Sequence, residues 1–286
     1  MDYWIRATVA SGRVRALATC TTLSARSAQA AHRAAPLAAA AMGRVIGAAV
    51  LVAADLKEGG TVRLSADGGG PVGRVVAEAW GESVRARVDN PTLELDLRQD
   101  GKLNVGQAVG RDGELVVTQE TDALQVWQSR TSLVTGEIGE DLAQFYAESA
   151  QVPAAVALGV LIGRDGQVAA SGGLVVQALP GGGEEAVAVA RKFERLSGIS
   201  HRMAAGESPE EILASVVPVP LRWHGRHYFG FRCRCSRERS ATIVQGLPDQ
   251  DMDQLIEQQG AEVICNFCRH AYRFSGDQLL TWHRAR

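Results

Sequence analysis

The stretch Phe231-Arg-Cys233-Arg-Cys235, followed after 29 residues by Cys265-Asn-Phe-Cys268, is the most informative part of the sequence. Alternate side chains of an extended strand share a face, so Cys233 and Cys235 are predicted to point the same way. Cys265 and Cys268 have the two-residue spacing at which a tight turn presents both sulfurs to one ion. Four thiolates in a tetrahedral array form a closed site for one zinc ion, without the open position that catalysis needs.

The segment between the two cysteine pairs predicts a helix and a returning strand. Residues 248–259 carry acidic side chains in the first helical turn and apolar ones at inward spacing, and Gly260 can end the helix. Residues 261–264 then read as a strand that brings the second pair to the first. Residues 221–286 are therefore predicted to form a small zinc-binding α+β module, whose limited core needs an internal staple.

The cysteine pattern leaves two other interpretations open. Two disulfides could link the four residues, although a cytosolic chain disfavours them. A purely structural zinc site in an enzyme or in a nucleic-acid-binding protein would show the same spacing. The fifth cysteine, Cys20, stands far from the others and is predicted to be a small buried hydrophobe.

The rest of the chain predicts a larger domain followed by a helical linker. Residues 1–180 alternate strand-like runs with apolar helical segments, which favours an α+β, or layered α/β, core domain. Residues 181–220 predict a linker of low intrinsic stability with one helix over 184–197. A second helix begins at Ser208-Pro-Glu-Glu211, where the serine can cap the helix and the second glutamate can complete a capping box.

Composition excludes several classes of protein. The chain has 286 residues, of which 46% are hydrophobic, and a formal net charge of −2, so it is neither a disordered tail nor a strongly basic polyanion binder. Residues 1–10 lack the apolar segment of a secretory signal. The richest apolar stretch, residues 34–56, is interrupted by Pro36, Gly43 and Arg44 and predicts a buried helix. We expect a cytoplasmic protein that does not bind membranes.

Enzyme motifs are weak. Gly68-Gly-Gly70-Pro-Val-Gly73 matches the dinucleotide-binding glycine pattern, but a strand-like run follows it where that fold requires a helix. The closest pair of histidines, His224 and His227, is more typical of a polar surface than of a metal site. We therefore expect no catalytic residues and no enzymatic activity.

A zinc-bearing nucleic-acid-binding or regulatory protein is the alternative function. Residues 221–286 contain ten arginines against seven acidic residues, together with aromatic side chains. That excess is small compared with the basic surfaces that bind phosphate backbones. The sequence therefore favours a protein without a nucleic-acid partner.

The string Cys233-Arg-Cys235-Ser-Arg-Glu-Arg239, with Cys265-Asn-Phe-Cys268 and Tyr272-Arg-Phe274, resembles the redox-switch domain of the redox-regulated 33-kDa heat-shock chaperone family. The resemblance covers most of the chain, since it extends through three upstream motifs. These are Gly136-Glu-Ile-Gly-Glu-Asp-Leu142, Gln151-Val-Pro153 and Ala170-Ser-Gly-Gly173. The sequence departs from the family at Ala150, where an acidic residue is usual, and across residues 125–134.

The resemblance implies a redox-regulated, ATP-independent holdase. In the reduced state one zinc ion would be held by Cys233, Cys235, Cys265 and Cys268, and the protein would be inactive. Oxidation would form the disulfides Cys233–Cys235 and Cys265–Cys268 and release the zinc, because a disulfide cannot serve as two thiolate ligands. The switch and the linker would then unfold and expose a surface that binds unfolding proteins. The family also implies a homodimer in the oxidised state.

Two further sets of residues follow from this interpretation. Four arginines close to the first cysteine pair are predicted either to offset the thiolate charge or to form an ordinary solvated face: Arg232, Arg234, Arg237 and Arg239. Apolar linker side chains are the candidate contacts with client proteins: Val187, Val189, Phe193, Leu196, Ile212, Leu213 and Val216.

Overall fold

The structure is a computed structural model that describes residues 1–9, 12–56, 60–121, 125–180, 193, 196, 198–217 and 219–285. It divides the chain into two compact units, Met1–Arg232 and Cys233–Arg286. Both units mix helices and strands, so the α+β class predicted from the sequence is confirmed.

A ten-stranded sheet forms the first unit, in the order β7-β6-β3-β4-β5-β10-β1-β2-β9-β8. Neighbouring strands are antiparallel except β5 and β10, which run parallel and pair over two residues only. The sheet thus consists of two antiparallel halves that meet at β5 and β10. The strands are β1 Asp2–Val9, β2 Val14–Cys20, β3 Thr61–Gly69, β4 Val75–Trp80, β5 Ser83–Val88, β6 Gly110–Glu120, β7 Val126–Ser132, β8 Ala154–Ile162, β9 Val168–Ala178 and β10 Leu221–Phe231.

Helix α2, Pro36–Ala53, lies at the centre of the main core. It is long and apolar enough to cross a membrane, but 83% of it is buried inside the fold. A proline in its first turn starts the helix, as its missing N–H is not needed there. The prediction of a buried helix in this apolar stretch is therefore confirmed. The other helices of the unit are α1 Thr22–His32, α3 Val105–Val109, α4 Gly139–Glu148, α5 Ile199–Ala204 and α6 Pro209–Val216.

Strands β2 and β9 are buried on both faces, whereas β1 is buried on one face and half-buried on the other. Leu17 and Val175 belong to the main core with α1 and α2, whereas their neighbours in the chain belong to a second core. Because strand side chains alternate, this second core lies on the opposite face of the sheet. There α5 and α6 cover an apolar sheet face made of Tyr3, Ile5, Val9, Val14, Ala16, Ala18, Leu174 and Val176.

The predicted start of α6 is confirmed. The Ser208 side chain accepts from the backbone N–H of Glu211, whose carboxylate accepts from the backbone N–H of Ser208. This capping box satisfies helix donors that would otherwise lack partners. The helix predicted over 184–197 lies outside the described residues, apart from Phe193 and Leu196.

Residues 221–231 form β10, which pairs along its length with β1 of the large sheet. This part of the predicted 221–286 module therefore packs with the first unit. Alternating side chains indicate a strand, but they do not indicate which sheet it joins. The division into a core domain (1–180), a linker (181–220) and a switch domain (221–286) stays a prediction about which parts of the chain act separately.

The second unit is a β-hairpin with three helices. Its helices are α7 Arg237–Gln245, α8 Asp249–Glu257 and α9 Gly276–Arg284, and its strands are β11 Gly260–Ile264 and β12 Ala271–Ser275. The strands pair antiparallel from Gly260 with Ser275 to Ile264 with Ala271. The helix predicted over 248–259 and the strand that follows it are confirmed. Helix α7 was not predicted.

Candidate metal centre

The four cysteines of the second unit come from two short segments without regular structure. Cys233 and Cys235 follow the end of β10, and Cys265 and Cys268 lie in the turn between β11 and β12. The prediction that the first pair lies in a strand is wrong, because the strand ends at Phe231. Both thiols of the pair nevertheless belong to the cluster, and the loop that carries them joins β10 to α7.

The turn between β11 and β12 is held by two backbone hydrogen bonds. The N–H of Cys265 donates to the carbonyl of His270 at 2.9 Å, and the N–H of Arg269 donates to the carbonyl of Cys265 at 2.9 Å. Arg269 has a φ of 60°, in the left-handed region that closes such a turn. The turn thereby directs both of its thiols to one side, as the Cys-x-x-Cys spacing predicts.

Residues Ser236–Arg239 begin α7 and fix the loop before it. The Ser236 hydroxyl accepts from the N–H of Arg239 at 3.2 Å, which caps the helix. The Arg239 guanidinium donates to the carbonyl of Arg234 at 2.7 Å. Arg237 lies 4.7 Å from the centre of the Phe274 ring, a cation–π contact. Arg237 and Arg239 therefore stabilise the packing of the unit, a role that sequence reasoning did not assign to them.

The four sulfur atoms all lie within 4.8 Å of one another. The Sγ atoms of Cys233 and Cys265 are 3.6 Å apart, and those of Cys235 and Cys268 are 3.4 Å apart. A tetrahedral zinc ion with sulfur ligands at about 2.3 Å places its sulfurs about 3.8 Å apart. The cluster therefore has the size of a four-thiolate zinc site. Across the part of the chain that the structure describes, it is the only group of three or more His, Cys, Asp or Glu side chains that could hold a metal.

The protonation state of the four sulfurs depends on whether a cation is bound among them. Burial raises the pKa of the Cys268 thiol and that of the Cys235 thiol. The Tyr272 hydroxyl donates to the Cys235 sulfur at 3.2 Å, and this hydrogen bond raises the tyrosine pKa to about 12. A raised pKa favours the neutral thiol, so four thiolates would form at this spacing only with a positive ion among them. The donor set thus fits a thiophilic divalent metal such as zinc.

The apolar core of the second unit is small. Among the described residues of this unit, 233–285, four hydrophobic side chains are buried: Val244, Met252, Phe274 and Leu279. The Trp282 ring packs edge-on against Phe274 at 5.2 Å. Because so few side chains leave water, a unit of this size requires a staple, and the four cysteines could supply it by holding a metal ion.

The cysteine, the histidines and the glycine motif that the sequence analysis did not assign to a functional site lie in the first unit. Cys20 is at the end of β2 in the first unit, where its sulfur is 3.5 Å from the Thr22 hydroxyl. His227 stacks on the Trp4 ring at 4.0 Å, and His224 contacts the Thr8 hydroxyl. Gly73 leads into β4, a strand, as predicted, and so lacks the helix that dinucleotide binding requires.

The candidate client contacts divide into two sets. Val187 and Val189 lie outside the described residues. Phe193, Ile212, Leu213 and Val216 are buried in the second core, and Leu196 packs against it. Sequence reasoning named only these linker side chains. It missed the apolar sheet face beneath them, because strands buried on both faces lose the alternation that would reveal it.

Comparisons with known proteins give consistent results. A family model described as "Hsp33 protein" matches residues 2–275. The 33 kDa chaperonin of Bacillus velezensis is 36% identical, with 98% of this chain and 97% of the relative covered. That of Bacillus licheniformis is 37% identical, with 98% of each covered. The crystal structure of the 33 kDa chaperonin of Thermotoga maritima superimposes with a TM-score of 0.93 at 28% identity, over 99% of this chain and 98% of that one.

Proposed function

The chain belongs to the Hsp33 family of chaperones, and on that premise we propose that it is an ATP-independent holdase switched on by oxidation of its four clustered cysteines. The observation that carries this proposal is the set of four sulfurs within 4.8 Å of one another in a unit with a very small core. Such a unit depends on its staple for folding, and thiols are a staple that oxidants can remove.

In the reduced state Cys233, Cys235, Cys265 and Cys268 would hold one zinc ion. When bound, zinc keeps the sulfurs as thiolates and ties the two halves of the unit together. Tyr272 orients Cys235 through its hydroxyl, and the β11–β12 turn fixes the second pair. Tyr272 and the residues of this turn have a structural role, and we assign no catalytic residue to the chain.

Oxidation is proposed to join Cys233 to Cys235 and Cys265 to Cys268. Each disulfide forms when two thiols give two electrons and two protons to one peroxide, which leaves as two water molecules. The shortest sulfur distances in the structure instead join Cys233 to Cys265 and Cys235 to Cys268. Peptide mapping without reduction, after cleavage at glutamate, distinguishes the pairings: each proposed disulfide then lies within one peptide, whereas each crossed disulfide links two different peptides.

Loss of the staple is proposed to free α5 and α6 from the sheet as well. The surface offered to clients would then comprise the candidate linker side chains and the sheet face defined above. Of these side chains, the structure buries Phe193, Ile212, Leu213 and Val216 together with that sheet face. Unfolding proteins expose apolar segments, and apolar surface of this kind binds them without sequence specificity.

Glu210 fastens α6 to the sheet and offers a test of this coupling. Its carboxylate accepts from the Tyr3 hydroxyl and from Arg226 Nε, each at 2.6 Å. We expect Glu210→Gln to increase hydrogen exchange in residues 209–216 of the reduced, zinc-loaded protein by about tenfold, as a charge-assisted hydrogen bond contributes roughly 1.5–3 kcal/mol. The matched control is Glu94→Gln on an exposed side chain. Equal exchange in both variants would show that Glu210 does not hold the helix.

The remaining properties follow from the family and the composition. We propose a cytoplasmic protein whose partners are unfolding proteins, with homodimers in the oxidised state and no nucleic-acid or membrane partner. The dimer is tested by sedimentation of the reduced and the oxidised protein, and nucleic-acid binding by titration of the reduced protein at low salt.

The function itself is tested by light scattering from a client that unfolds on heating. We expect the peroxide-oxidised protein to suppress scattering and the reduced, zinc-loaded protein to leave it unchanged. Equal suppression by both forms would leave a chaperone whose cysteines are only structural. Scattering unchanged by either form would contradict the proposal and return attention to nucleic-acid binding.

A further inference from the structure

Helix α5 approaches the sheet closely at two glycines. A Cβ atom on Gly159 of β8 would lie 2.7 Å from Cγ1 of Ile199. A Cβ atom on Gly172 of β9 would lie 2.7 Å from Sδ and 2.8 Å from the terminal methyl of Met203. Both distances are too short for real side chains, so only glycine permits this contact. The thioether of Met203 therefore rests directly on the backbone of β9.

Met203 differs from the other methionines in exposure. Its side chain is half-buried and packs against the second core. Met42 and Met252 are fully buried, at 0% exposure, and Met1 is 83% exposed at the chain terminus. Met203 is thus the methionine of the described residues that is both partly exposed and part of a close structural contact.

We propose that Met203 is a second oxidation site, which acts on the linker without the cysteines. A sulfur lone pair of the thioether attacks one oxygen of a peroxide, the O–O bond breaks, and a sulfoxide forms with release of one water. The added oxygen is polar, and the close contact with Gly172 leaves no space for it on the sheet side. Oxidised Met203 must therefore leave its position, and α5 loses its contact with β9.

This inference rests on the proposed function, since release of α5 matters only if the surface beneath it binds clients. It adds a property that the cysteines cannot supply. Thiol reductants restore the four cysteines, but a methionine sulfoxide requires its own reductase. A strongly oxidised protein would consequently keep a loosened linker after its disulfides have been reduced.

The experiment separates the two chemistries by their reversibility. The wild type and Met203→Leu are oxidised with hydrogen peroxide, then reduced with dithiothreitol in the presence of zinc. Hydrogen exchange is measured in residues 199–204, and each methionine is assayed for sulfoxide by peptide mass. We expect exchange to stay about tenfold faster in the wild type and to return to the resting rate in Met203→Leu, because only the wild type carries a sulfoxide, whose polar oxygen is costly to bury at this contact. Methionine sulfoxide reductase should restore the wild type.

Two outcomes would overturn the proposal. One is oxidation of Met203 no faster than that of Met42, which stays buried in the first unit. The other is a complete sulfoxide at Met203 with resting exchange in α5. Met203→Gln provides a check without oxidant, since its polar amide at this contact should by itself speed exchange in α5. Failure of the proposed function is a different result: the oxidised wild type, before reduction, would not suppress client aggregation.

Discussion

Removal of the metal from the reduced protein is expected to unfold residues 233–286 and to leave the large sheet folded. Structural zinc contributes about 10–16 kcal/mol of apparent binding free energy in small zinc-dependent units. A whole domain is typically stable by only about 5–15 kcal/mol. Four fully buried apolar side chains cannot offset a loss of that size in this unit. The unit should therefore change from folded to unfolded as a whole.

Hydrogen exchange with and without a chelator measures this effect. Protection should disappear in α8, β11 and β12, while β2 and β9 keep theirs. Cys268→Ser should produce the same pattern with zinc in the buffer, because it removes one of four ligands. Cys20→Ser is the matched control, since that thiol lies outside the cluster. Persistent protection of β11 and β12 after chelation would show that the unit folds without its staple.

Asp141→Ala is expected to destabilise the first unit more than any surface substitution. The carboxylate is fully buried and accepts four backbone N–H groups, from Val134 at 2.7 Å, Thr135 at 2.9 Å, Gly136 at 3.3 Å and Ile138 at 2.8 Å. Alanine leaves these donors without partners, and each buried unpaired group costs about 1–3 kcal/mol. A loss of at least about 3 kcal/mol in the free energy of unfolding follows.

Urea unfolding of the reduced, zinc-loaded protein, followed by the tryptophans of the first unit, tests this expectation. Asp165→Ala is the control, because Asp165 is an exposed aspartate that accepts one backbone N–H, from Gln167 at 3.1 Å. Its effect should stay below about 1 kcal/mol. Asp141→Asn should fall between the two, as it keeps one carbonyl oxygen as an acceptor. Equal midpoints for Asp141→Ala and the wild type would contradict the assigned role of the carboxylate.

The candidate metal centre could be predicted from sequence because the spacing of its cysteines indicates a metal site. Cys265 and Cys268 are separated by two residues, and a tight turn is enough to bring their sulfurs together. The link between the two pairs was harder to predict in detail. Helix α7 was missed because Ser236-Arg-Glu-Arg239 has the charges of a surface loop, whereas its serine is a helix cap.

The large sheet could not be predicted beyond its individual strands. Strand β10 pairs with β1, more than 200 positions away in the chain, and the local pattern of a strand carries no information about so distant a partner. Gly159 and Gly172 posed a similar difficulty, since their role depends on how closely α5 approaches. These features arise from tertiary packing, and the residues involved look ordinary in sequence.

The central claim is that one event at the cysteines controls client binding, and one time course tests it most directly. The reduced, zinc-loaded protein is treated with peroxide at elevated temperature, and zinc release and suppression of client aggregation are followed in the same samples. We predict that the two curves rise together and end at one zinc released per chain. Full release of zinc without suppression, or suppression before any zinc is released, would contradict the account.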